Sequence, residues 1–454
     1  MREFDAIFIG AGQAGPFLAA RMASKGRRVA LIERKYLGGT CVNAGCMPTK
    51  TLVASARTAH VARRAAEYGV QIGGDISVEM NTVRARAVKV TMDAREGLRT
   101  WFEALETMSV IHGEARFQDA HTITVGHEKM TAPQIFINVG ARPSIPDYPG
   151  LADVPYLTST SIIQLDTLPR HLIVIGGSYI GLEFGQMYRR FGARVTVIER
   201  SPRLASREDE DISDAIADIM RAEGIAIHTG ATGLSFRATG GDIEVATDGG
   251  VIVGSHILVA TGRRPNTDDL GLETAGVKMD ERGYIVVDDR LSTNVEGIWA
   301  LGDCNGRGAF THTSYNDFEI VAANLLDGAD RKLSDRIPAY ALYIDPPLGR
   351  VGMTERQARA SGRPILVSTR PMSRVGRAVE KGETQGFMKI VADADTRQIL
   401  GAAILGIEGD EAIHGIIDAM NAKTPYPALQ WSVPIHPTVS ELVPTLIADL
   451  KQLS

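Results

Sequence analysis

A glycine-rich segment that occurs twice constrains the fold of this 454-residue chain more than any other feature. Three small residues recur 166 positions apart: Gly10, Gly12 and Gly15 match Gly176, Ser178 and Gly181. The apolar run at 28–34 recurs at the same offset at 194–200, and each run contains a carboxylate, Glu33 or Glu199. Each copy predicts a strand, a tight turn, a helix and a second strand, which together open a dinucleotide-binding fold.

The residues of such a turn have separate tasks. The first glycine bends the chain, the second admits the pyrophosphate, and the third lets the helix pack on the strand. The phosphates lie at the helix N-terminus, where free N–H groups attract negative charge. Glu33 and Glu199 are placed to accept hydrogen bonds from ribose hydroxyls. Ser178 replaces the second glycine of the second copy, so we expect its side chain to crowd the pyrophosphate.

A second repeat closes each unit. Residues 135–143 recur 122 positions later at 257–265, with Gly140 matching Gly262. Both copies predict a buried strand followed by a glycine turn, so we expect one site for FAD and one for NADH or NADPH. From about Arg336 onward the glycine fingerprint is absent, and strand-like and helix-like runs alternate as in a separate α+β domain.

These observations predict an α/β chain with two Rossmann-like domains, for FAD and for NAD(P), followed by a C-terminal α+β domain. We assign residues 1–146 and 263–333 to the FAD domain, 147–262 to the NAD(P) domain and 334–454 to the last one. The charged and polar stretch at 327–335 is the expected boundary between the FAD domain and the C-terminal domain.

Cys41 and Cys46 lie in a glycine-rich segment just before a predicted helix at 49–66. The N-terminus of a helix lowers the pKa of a thiol and favours the reactive thiolate. Gly45 permits the distorted turn that would bring the two sulfurs together. A zinc site would need four ligands, and Cys304 is the only other cysteine. A static disulfide does not suit a reducing cell, so we interpret the pair as redox-active.

Here the chain resembles a known family over essentially its whole length. The segment 38–48 is similar to the active-site segment of glutathione reductase, dihydrolipoamide dehydrogenase and mercuric reductase, which are class I pyridine nucleotide–disulfide oxidoreductases. The segments 293–303 and 435–441 follow in the family's order. The segment 346–359 resembles the mercuric reductase-like and reactive-chlorine-resistance flavoprotein branch.

The resemblance implies roles for individual residues. Cys46 would face the flavin as the charge-transfer thiolate, and Cys41 would meet the acceptor. Lys50 and Glu183 would pair beside the flavin ring. His436, oriented by Glu441, would act as the acid–base and reach the cysteines from the other subunit of a homodimer with shared active sites. The C-terminal α+β domain, residues 334–454, would be the dimerisation domain.

The same resemblance, added to the glycine patterns, implies two sets of cofactor-binding residues. The FAD set is Gly10, Gly12, Gly15, Glu33, Gly39, Thr40, Gly140 and Asp303, of which Asp303 would hold a ribityl hydroxyl. The NAD(P) set is Gly176, Ser178, Tyr179, Gly181, Glu199 and Gly262, of which Tyr179 would be a movable lid where nicotinamide binds.

The predicted function is FAD-dependent, NAD(P)H-driven reduction of a disulfide or a soft metal ion through the Cys41–Cys46 disulfide. Glu199 favours NADH because its charge repels the 2′-phosphate of NADPH, while Arg200, Arg203 and Arg207 keep NADPH as an alternative coenzyme. No cysteine follows Cys304, so we expect Hg²⁺ to be reduced less well than a disulfide. Dihydrolipoamide dehydrogenase, a flavin-based redox sensor or binding protein, and a flavin-dependent transhydrogenase are the alternatives.

Bulk properties restrict the remaining possibilities. The net charge of −5 provides no attraction to nucleic acid. We find no apolar run long enough to span a membrane, and with only three cysteines we expect a cytoplasmic protein. We predict no resident metal site. His312 and His414 lack a motif, so we expect structural or surface roles for them.

Overall fold

Parallel strands form the centre of the first nucleotide-binding unit of the computed structural model, which describes residues 1–452. Its elements are β1 (Arg2–Glu3), β2 (Ala6–Ile9), α1 (Gly15–Ala23), β3 (Val29–Glu33), α2 (Gly39–Ala44), α3 (Cys46–Arg63), α4 (Met80–Glu103), β4 (Met108–His112), β5 (Ala115–Phe117), β6 (Thr122–Val125), β7 (Glu128–Thr131), β8 (Ile135–Ile137) and β9 (Ala141–Pro143). The strands β2, β3 and β8 are almost wholly buried, as expected for a parallel sheet covered on both faces.

The second unit repeats this arrangement. It comprises β10 (His171–Ile175), α5 (Tyr179–Phe191), β11 (Arg194–Ile198), α6 (Glu210–Ala222), β12 (Ala226–His228), β13 (Ser235–Thr239), β14 (Asp242–Thr247), β15 (Gly250–Gly254) and β16 (His256–Val259). A parallel sheet has the order β12-β11-β10-β16, and β13, β14 and β15 form a small antiparallel sheet. The strands of both sequence repeats therefore occupy corresponding places in the two units.

The chain then returns to the first unit. The returning elements are β17 (Arg263–Pro265), β18 (Ile298–Ala300) and α7 (Thr311–Leu326). β18 pairs in parallel with β8 and completes a five-stranded sheet of order β18-β8-β2-β3-β4. β9 and β17 pair antiparallel where the chain leaves and re-enters this unit, close to the domain limits that we propose at 146 and 263.

The third unit is built on one six-stranded antiparallel sheet, in the order β19-β20-β23-β22-β21-β24. Its elements are β19 (Ala339–Leu342), β20 (Leu348–Gly352), α8 (Glu355–Ala360), β21 (Ile365–Pro371), α9 (Gly376–Glu380), β22 (Phe387–Asp393), β23 (Ile399–Leu405), α10 (Gly409–Ala412), α11 (His414–Asn421), α12 (Tyr426–Gln430), α13 (Val443–Ala448) and β24 (Lys451–Gln452). The predicted fold class, two Rossmann-like units and a C-terminal α+β unit, is confirmed.

The helix after the cysteine segment differs from its predicted bounds. It begins at Cys46 and ends at Arg63, whereas the sequence predicted 49–66. Gly45 explains the earlier start, because its backbone angles (φ −130°, ψ −123°) end α2 and allow α3 to begin at the next residue. Cys46 therefore belongs to the helix itself rather than to the loop before it.

Candidate active site

The break between α2 and α3 determines where the two cysteines lie. A Cβ at Gly45 would come within 2.8 Å of the Thr40 carbonyl oxygen, so the chain passes close to the turn that carries Cys41. Cys46 is the first residue of the 18-residue helix α3, where the free N–H groups favour a thiolate. Both side chains are free thiols in this structure, which therefore represents the reduced pair.

The two thiols share one proton unequally. A hydrogen bond from the Cys41 thiol, another from the Thr311 hydroxyl and the charge of Lys50 lower the pKa of Cys46 to about 6, although partial burial opposes this shift. The Thr311 Oγ1 atom is 3.1 Å from the Cys46 sulfur. For Cys41, the hydrogen bond that it donates to Cys46 and its own burial raise the pKa far above the ordinary range of a thiol. These contacts favour the thiolate at Cys46 and the protonated thiol at Cys41.

Lys50 and Glu183 form an ion pair beside the cysteines, as the resemblance implied. Lys50 Nζ is 2.8 Å from Glu183 Oε2, and the Glu183 side chain is 8% exposed. The Tyr343 backbone N–H donates to the other carboxylate oxygen of Glu183 at 3.0 Å, and the Lys50 ammonium lies 4.6 Å from the centre of the Tyr343 ring. The third domain therefore helps to hold the pair.

A cavity of about 1990 Å³ joins these residues to the first glycine turn; we call it the central cavity. Its wall contains almost all the predicted FAD residues, namely Gly10, Gly12, Glu33, Gly39, Thr40, Gly140 and Asp303, together with Cys41, Cys46, Lys50, Tyr179 and Glu183. Gly15 lies outside the wall, and a Cβ there would come within 2.9 Å of the Gly10 carbonyl oxygen, so its task is to pack α1 against the sheet.

The central cavity fits FAD. Gly39 has φ +59°, and a Cβ on it would come within 2.8 Å of the Gly12 Cα, so backbone from two segments meets without side chains between them. Glu33 Oε2 accepts the Ala11 N–H at 2.9 Å, which fixes the carboxylate at the end of β3. Asp303, with a half-buried side chain, also lines the cavity, and desolvation raises its pKa although Arg263 lies 3.6 Å away. An under-paired carboxylate in the wall suits a bound hydroxyl group.

The second glycine turn repeats the first, except that Ser178 stands at the position of Gly12. Glu199 accepts the Gly177 N–H at 2.6 Å and the Ser201 N–H at 2.7 Å, at positions equivalent to the partners of Glu33. A Cβ at Gly12 would meet the Asn138 side chain at 2.8 Å, whereas Ala260 occupies the corresponding place in the second unit. The protein therefore has room for the Ser178 Cβ inside the turn.

The other predicted NAD(P) residues surround this turn. A Cβ at Gly176 would come within 2.4 Å of the Ala260 carbonyl oxygen, and one at Gly181 within 2.0 Å of the Gly176 carbonyl oxygen. Gly262, with φ +138°, follows the β16 strand. Tyr179 begins α5 and donates a hydrogen bond of 2.6 Å to Glu208 Oε1.

His436 and Glu441 meet each other but not the cysteines of the same chain. His436 Nδ1 is 2.9 Å from Glu441 Oε2, and the His436 side chain is 78% exposed. Neither residue contributes to the wall of the central cavity. The neighbouring side chains of Trp431, Val433 and Ile435 are 81%, 95% and 79% exposed. Apolar exposure on this scale marks a surface that packs against another molecule.

Several site residues were not singled out by the sequence reasoning. Thr311, Tyr343 and His312 line the central cavity, and Glu208 binds the phenol of Tyr179. His312, for which we expected a structural or surface role, is held through Nε2 by the Ala339 carbonyl at 2.7 Å. Asn138, which lies beside the first glycine turn, was missed as well, although the sequence offered one signal for it. It stands in the 135–143 repeat where the second copy has Ala260. The other residues come from distant segments with no motif of their own.

We expect replacement of Thr311 by Val to raise the pKa of Cys46. The variant removes a hydroxyl that donates to the thiolate, and such a bond changes the pKa by roughly one unit. In the reduced holoprotein, the rate of alkylation by iodoacetamide should rise as pH passes through about 6, because the thiolate predominates above that value. In Thr311→Val the rise should come at higher pH. Thr311→Ser keeps the hydroxyl and should match the wild type; equal pKa values in the Val and Ser variants would contradict the assigned cause.

Two family models match the chain. Residues 4–317 match the pyridine nucleotide-disulphide oxidoreductase model, and residues 338–447 match the dimerisation domain of the same family. Within residues 1–452, no helix is long and apolar enough to cross a membrane. In the same part of the chain, no group of three or more His, Cys, Asp or Glu side chains is arranged to hold a metal ion.

Relatives of known name cover nearly the whole chain. The Escherichia coli K12 protein named Probable pyridine nucleotide-disulfide oxidoreductase RclA is 37% identical over 99% of this chain and 100% of its own length. A mercuric reductase of Streptomyces lividans is 36% identical over 92% of this chain and 90% of its own. A dihydrolipoyl dehydrogenase of Mycoplasma pneumoniae is 30% identical, with 97% of both chains covered.

The fold comparison agrees with the sequence comparison. The structure titled as the Cu(II) complex of the HOCl-induced flavoprotein disulfide reductase RclA of Escherichia coli superimposes with a TM-score of 0.91, at 35% identity and 99% coverage of both chains. The predicted family, enzyme class and cofactor types are thereby confirmed. This chain belongs to the pyridine nucleotide–disulfide oxidoreductases and is a flavoprotein disulfide reductase that uses FAD and NAD(P)H.

Proposed function

We propose that this enzyme passes electrons from NADH to thiophilic acceptors, disulfides first, through the Cys41–Cys46 pair. The observation that carries this proposal is the placement of the pair: Cys46 begins α3 with Thr311 Oγ1 3.1 Å from its sulfur, and Cys41 lies with it in the wall of the central cavity. Such a pair separates two tasks, because the thiolate faces the electron donor while the other sulfur meets the acceptor.

The cofactor and the cysteines divide the chemistry. The first glycine turn, Glu33 and Asp303 would hold FAD in the central cavity, where it would supply the electron pair that reduces the Cys41–Cys46 disulfide. The reduced pair then holds one proton on Cys41 and a thiolate on Cys46. Lys50 keeps a positive charge near that thiolate, and Glu183 keeps Lys50 in place.

Reduction of a disulfide acceptor proceeds by two exchanges. Cys41 loses its proton to a base and attacks one sulfur of the acceptor, which forms a mixed disulfide and releases the first thiolate. The Cys46 thiolate then attacks the Cys41 sulfur, re-forms the Cys41–Cys46 disulfide and releases the second thiolate. Both released thiolates then take up a proton. The base that deprotonated Cys41 returns that proton to one of them.

His436 of the partner subunit is the base that we propose. Within one chain the His436–Glu441 pair is exposed and lies outside the central cavity, and the adjacent apolar side chains are uncovered. The match of residues 338–447 to a dimerisation domain supports a homodimer. In a symmetric dimer the same surface of each subunit completes the other, so each active site would contain cysteines from one chain and a histidine from its partner.

A soft metal ion is the second acceptor that we propose. Thiolate sulfur is the ligand that soft ions prefer, and Cys41 and Cys46 line an accessible cavity. The relatives support this choice, because the similar RclA structure is titled a Cu(II) complex and several relatives are named mercuric reductases. A third candidate, dihydrolipoamide oxidation, is supported by the dihydrolipoyl dehydrogenase relatives and predicts rapid reduction of NAD⁺ by dihydrolipoamide.

We propose NADH as the preferred coenzyme and the cytoplasm as the site of action. Glu199 is fixed at the end of β11, and Arg203 is already paired with Glu210 at 3.2 Å and with Asp214 at 3.2 Å. Of the three arginines that follow Glu199, Arg200 and Arg207 have no ion-pair partner among the described residues, so a 2′-phosphate would meet a fixed carboxylate and two free cations. A reducing compartment suits a working dithiol with free thiols.

Replacement of Cys41 by Ser should abolish turnover of disulfide substrates while FAD remains bound. The Cys46 thiolate survives, but no sulfur remains to attack the acceptor. Anaerobic titration with NADH should reveal a long-wavelength charge-transfer band in the wild type before the flavin is fully bleached. Cys304→Ser is the matched control, because Cys304 is fully buried outside the pair and this variant should retain activity. Disulfide reduction by Cys41→Ser at the native rate would contradict the role of Cys41.

A heterodimer of two inactive variants should regain activity if the sites are shared. Homodimers of Cys41→Ser and of His436→Ala should both turn over poorly. In their heterodimer, one of the two sites combines an intact cysteine pair with an intact histidine, so we expect roughly half of the wild-type rate. Differently tagged chains, co-expressed and purified through both tags, provide the sample. An inactive heterodimer would contradict the shared site.

Replacement of Glu199 by Ala should reduce the preference for NADH over NADPH. The ratio of the two kcat/KM values should fall by roughly tenfold, which corresponds to one hydrogen bond to a charged group. Glu199→Gln separates charge from shape, and should also lower the ratio. Glu33→Ala is the control in the first unit, where we expect weaker FAD retention and an unchanged ratio. A ratio that stays at the wild-type value in both Glu199 variants would rule out this assignment.

A further inference from the structure

A buried carboxylate, Glu208, receives hydrogen bonds from two phenols that belong to different domains. Tyr179 Oη donates to Glu208 Oε1 at 2.6 Å, and Tyr340 Oη donates to the same oxygen at 2.7 Å. Glu208 is only 1% exposed. Tyr179 begins α5 of the nucleotide-binding unit, whereas Tyr340 lies on β19 of the C-terminal unit. One oxygen atom therefore connects the predicted nicotinamide lid to another domain.

A guanidinium group, that of Arg350, faces the other carboxylate oxygen of Glu208. The oxygen that accepts both phenol hydroxyls is therefore left to the two tyrosines. Arg350, 1% exposed, has its Nε 3.7 Å from Glu208 Oε2, too far for a hydrogen bond. Both of these atoms are buried without a hydrogen-bond partner in the structure. Arg350 Nη2 lies 3.4 Å from Asp209 Oδ2. Glu208 and Arg350 therefore form a buried pair with no hydrogen bond between them, and the hydrogen bonds of Glu208 come from Tyr179 and Tyr340.

The two tyrosines also connect the lid to the cysteine side of the central cavity. Their ring centres are 5.5 Å apart, and the Tyr340 ring stacks on Phe310 at 5.5 Å. Thr311, next in the chain, makes the hydrogen bond to Cys46. Tyr179 itself lines the central cavity. Glu208 therefore lies between two parts of the site: the part where nicotinamide is predicted to bind, and the part that contains the cysteine pair.

We propose that Glu208 is a positioning residue that latches Tyr179 in the closed position, and that Tyr340 keeps the carboxylate satisfied when Tyr179 leaves. This inference rests on the proposed role of Tyr179 as the lid. When two donors share one oxygen, each bond is weaker than it would be alone. Tyr340 therefore lowers the cost of opening in two ways: it weakens the closed bond, and it spares the open state a buried carboxylate without a hydrogen bond.

The strength of the latch sets the apparent affinity for the coenzyme. If NADH binds only when Tyr179 has moved, the apparent Kd equals the intrinsic Kd divided by the open fraction. Removal of the Tyr179 hydroxyl frees the lid, whereas removal of the Tyr340 hydroxyl leaves Tyr179 as the only donor. The two hydroxyls are bound to the same atom, yet their removal should change the affinity in opposite directions.

The experiment compares Tyr179→Phe with Tyr340→Phe in the holoprotein. Anaerobic stopped-flow reduction of the flavin, at increasing NADH concentration, yields the concentration for half-maximal rate. In Tyr179→Phe this concentration should fall by roughly tenfold, as expected for the loss of one hydrogen bond to a charged group. In Tyr340→Phe it should rise severalfold. Glu208→Gln is less suitable, because it leaves the buried Arg350 with one fewer charge partner and so destabilises the folded protein.

The two variants also exclude a general loss of structure. Damage to the buried network would move both variants in the same direction, and thermal unfolding of each checks for it. The latch is overturned if Tyr179→Phe fails to lower the half-maximal concentration, or if Tyr340→Phe lowers it as well. Reduction with dithiothreitol bypasses the coenzyme site. Absence of the charge-transfer band in the dithiothreitol-reduced wild type would count against the proposed function, whereas a normal band with unchanged NADH dependence counts only against the latch.

Discussion

The placement of the Cys46 sulfur, at the N-terminus of α3 and 3.1 Å from the Thr311 hydroxyl, is the constraint on which the active site depends. It makes two chemically identical side chains unequal, with the pKa of Cys46 lowered to about 6 and that of Cys41 raised. The placement follows from Gly45, which ends one helix and starts the next, so that Cys46 opens α3 while Cys41 stays in α2. Lys50, Glu183 and Thr311 then act on a thiolate whose position is already determined.

The helix that carries Cys46 is anchored by a network of buried charges. Arg57 of α3 contacts Asp345 at 2.6 Å and Glu383 at 2.7 Å. Asp345 also pairs with Arg190 of α5, which contacts Glu223 at 2.7 Å. These residues come from all three units of the chain. Removal of one partner from such a network leaves an uncompensated buried charge, so the network fixes the orientation of the units more firmly than surface ion pairs could. Glu208 and Arg350 form a second buried pair, near the lid.

Most of the architecture and the cofactor types could be predicted from the sequence. The repeats at 10–34 and 176–200 predicted two nucleotide-binding units because strand, turn and helix are local features that a short stretch of residues specifies. The pairing of Lys50 with Glu183 followed from the family resemblance and is present at 2.8 Å. The start of α3 was placed three residues too late, because Gly45 has a backbone conformation that composition does not reveal.

The residues that complete the site could not be predicted, because they converge from distant segments. Thr311 reaches Cys46 across 265 positions of sequence, and Tyr340 reaches Glu208 across 132. The chain itself determined the local elements: the glycine turns, the carboxylates at the strand ends and the cysteine pair. The family resemblance already implied the thiolate at Cys46 and a His436 that serves the other subunit. Only the tertiary structure decided that Thr311 contacts the Cys46 sulfur and that two tyrosines share one buried oxygen. Those outcomes depend on distances between side chains far apart in sequence, and hydrogen bonds and charges act only over a few ångströms.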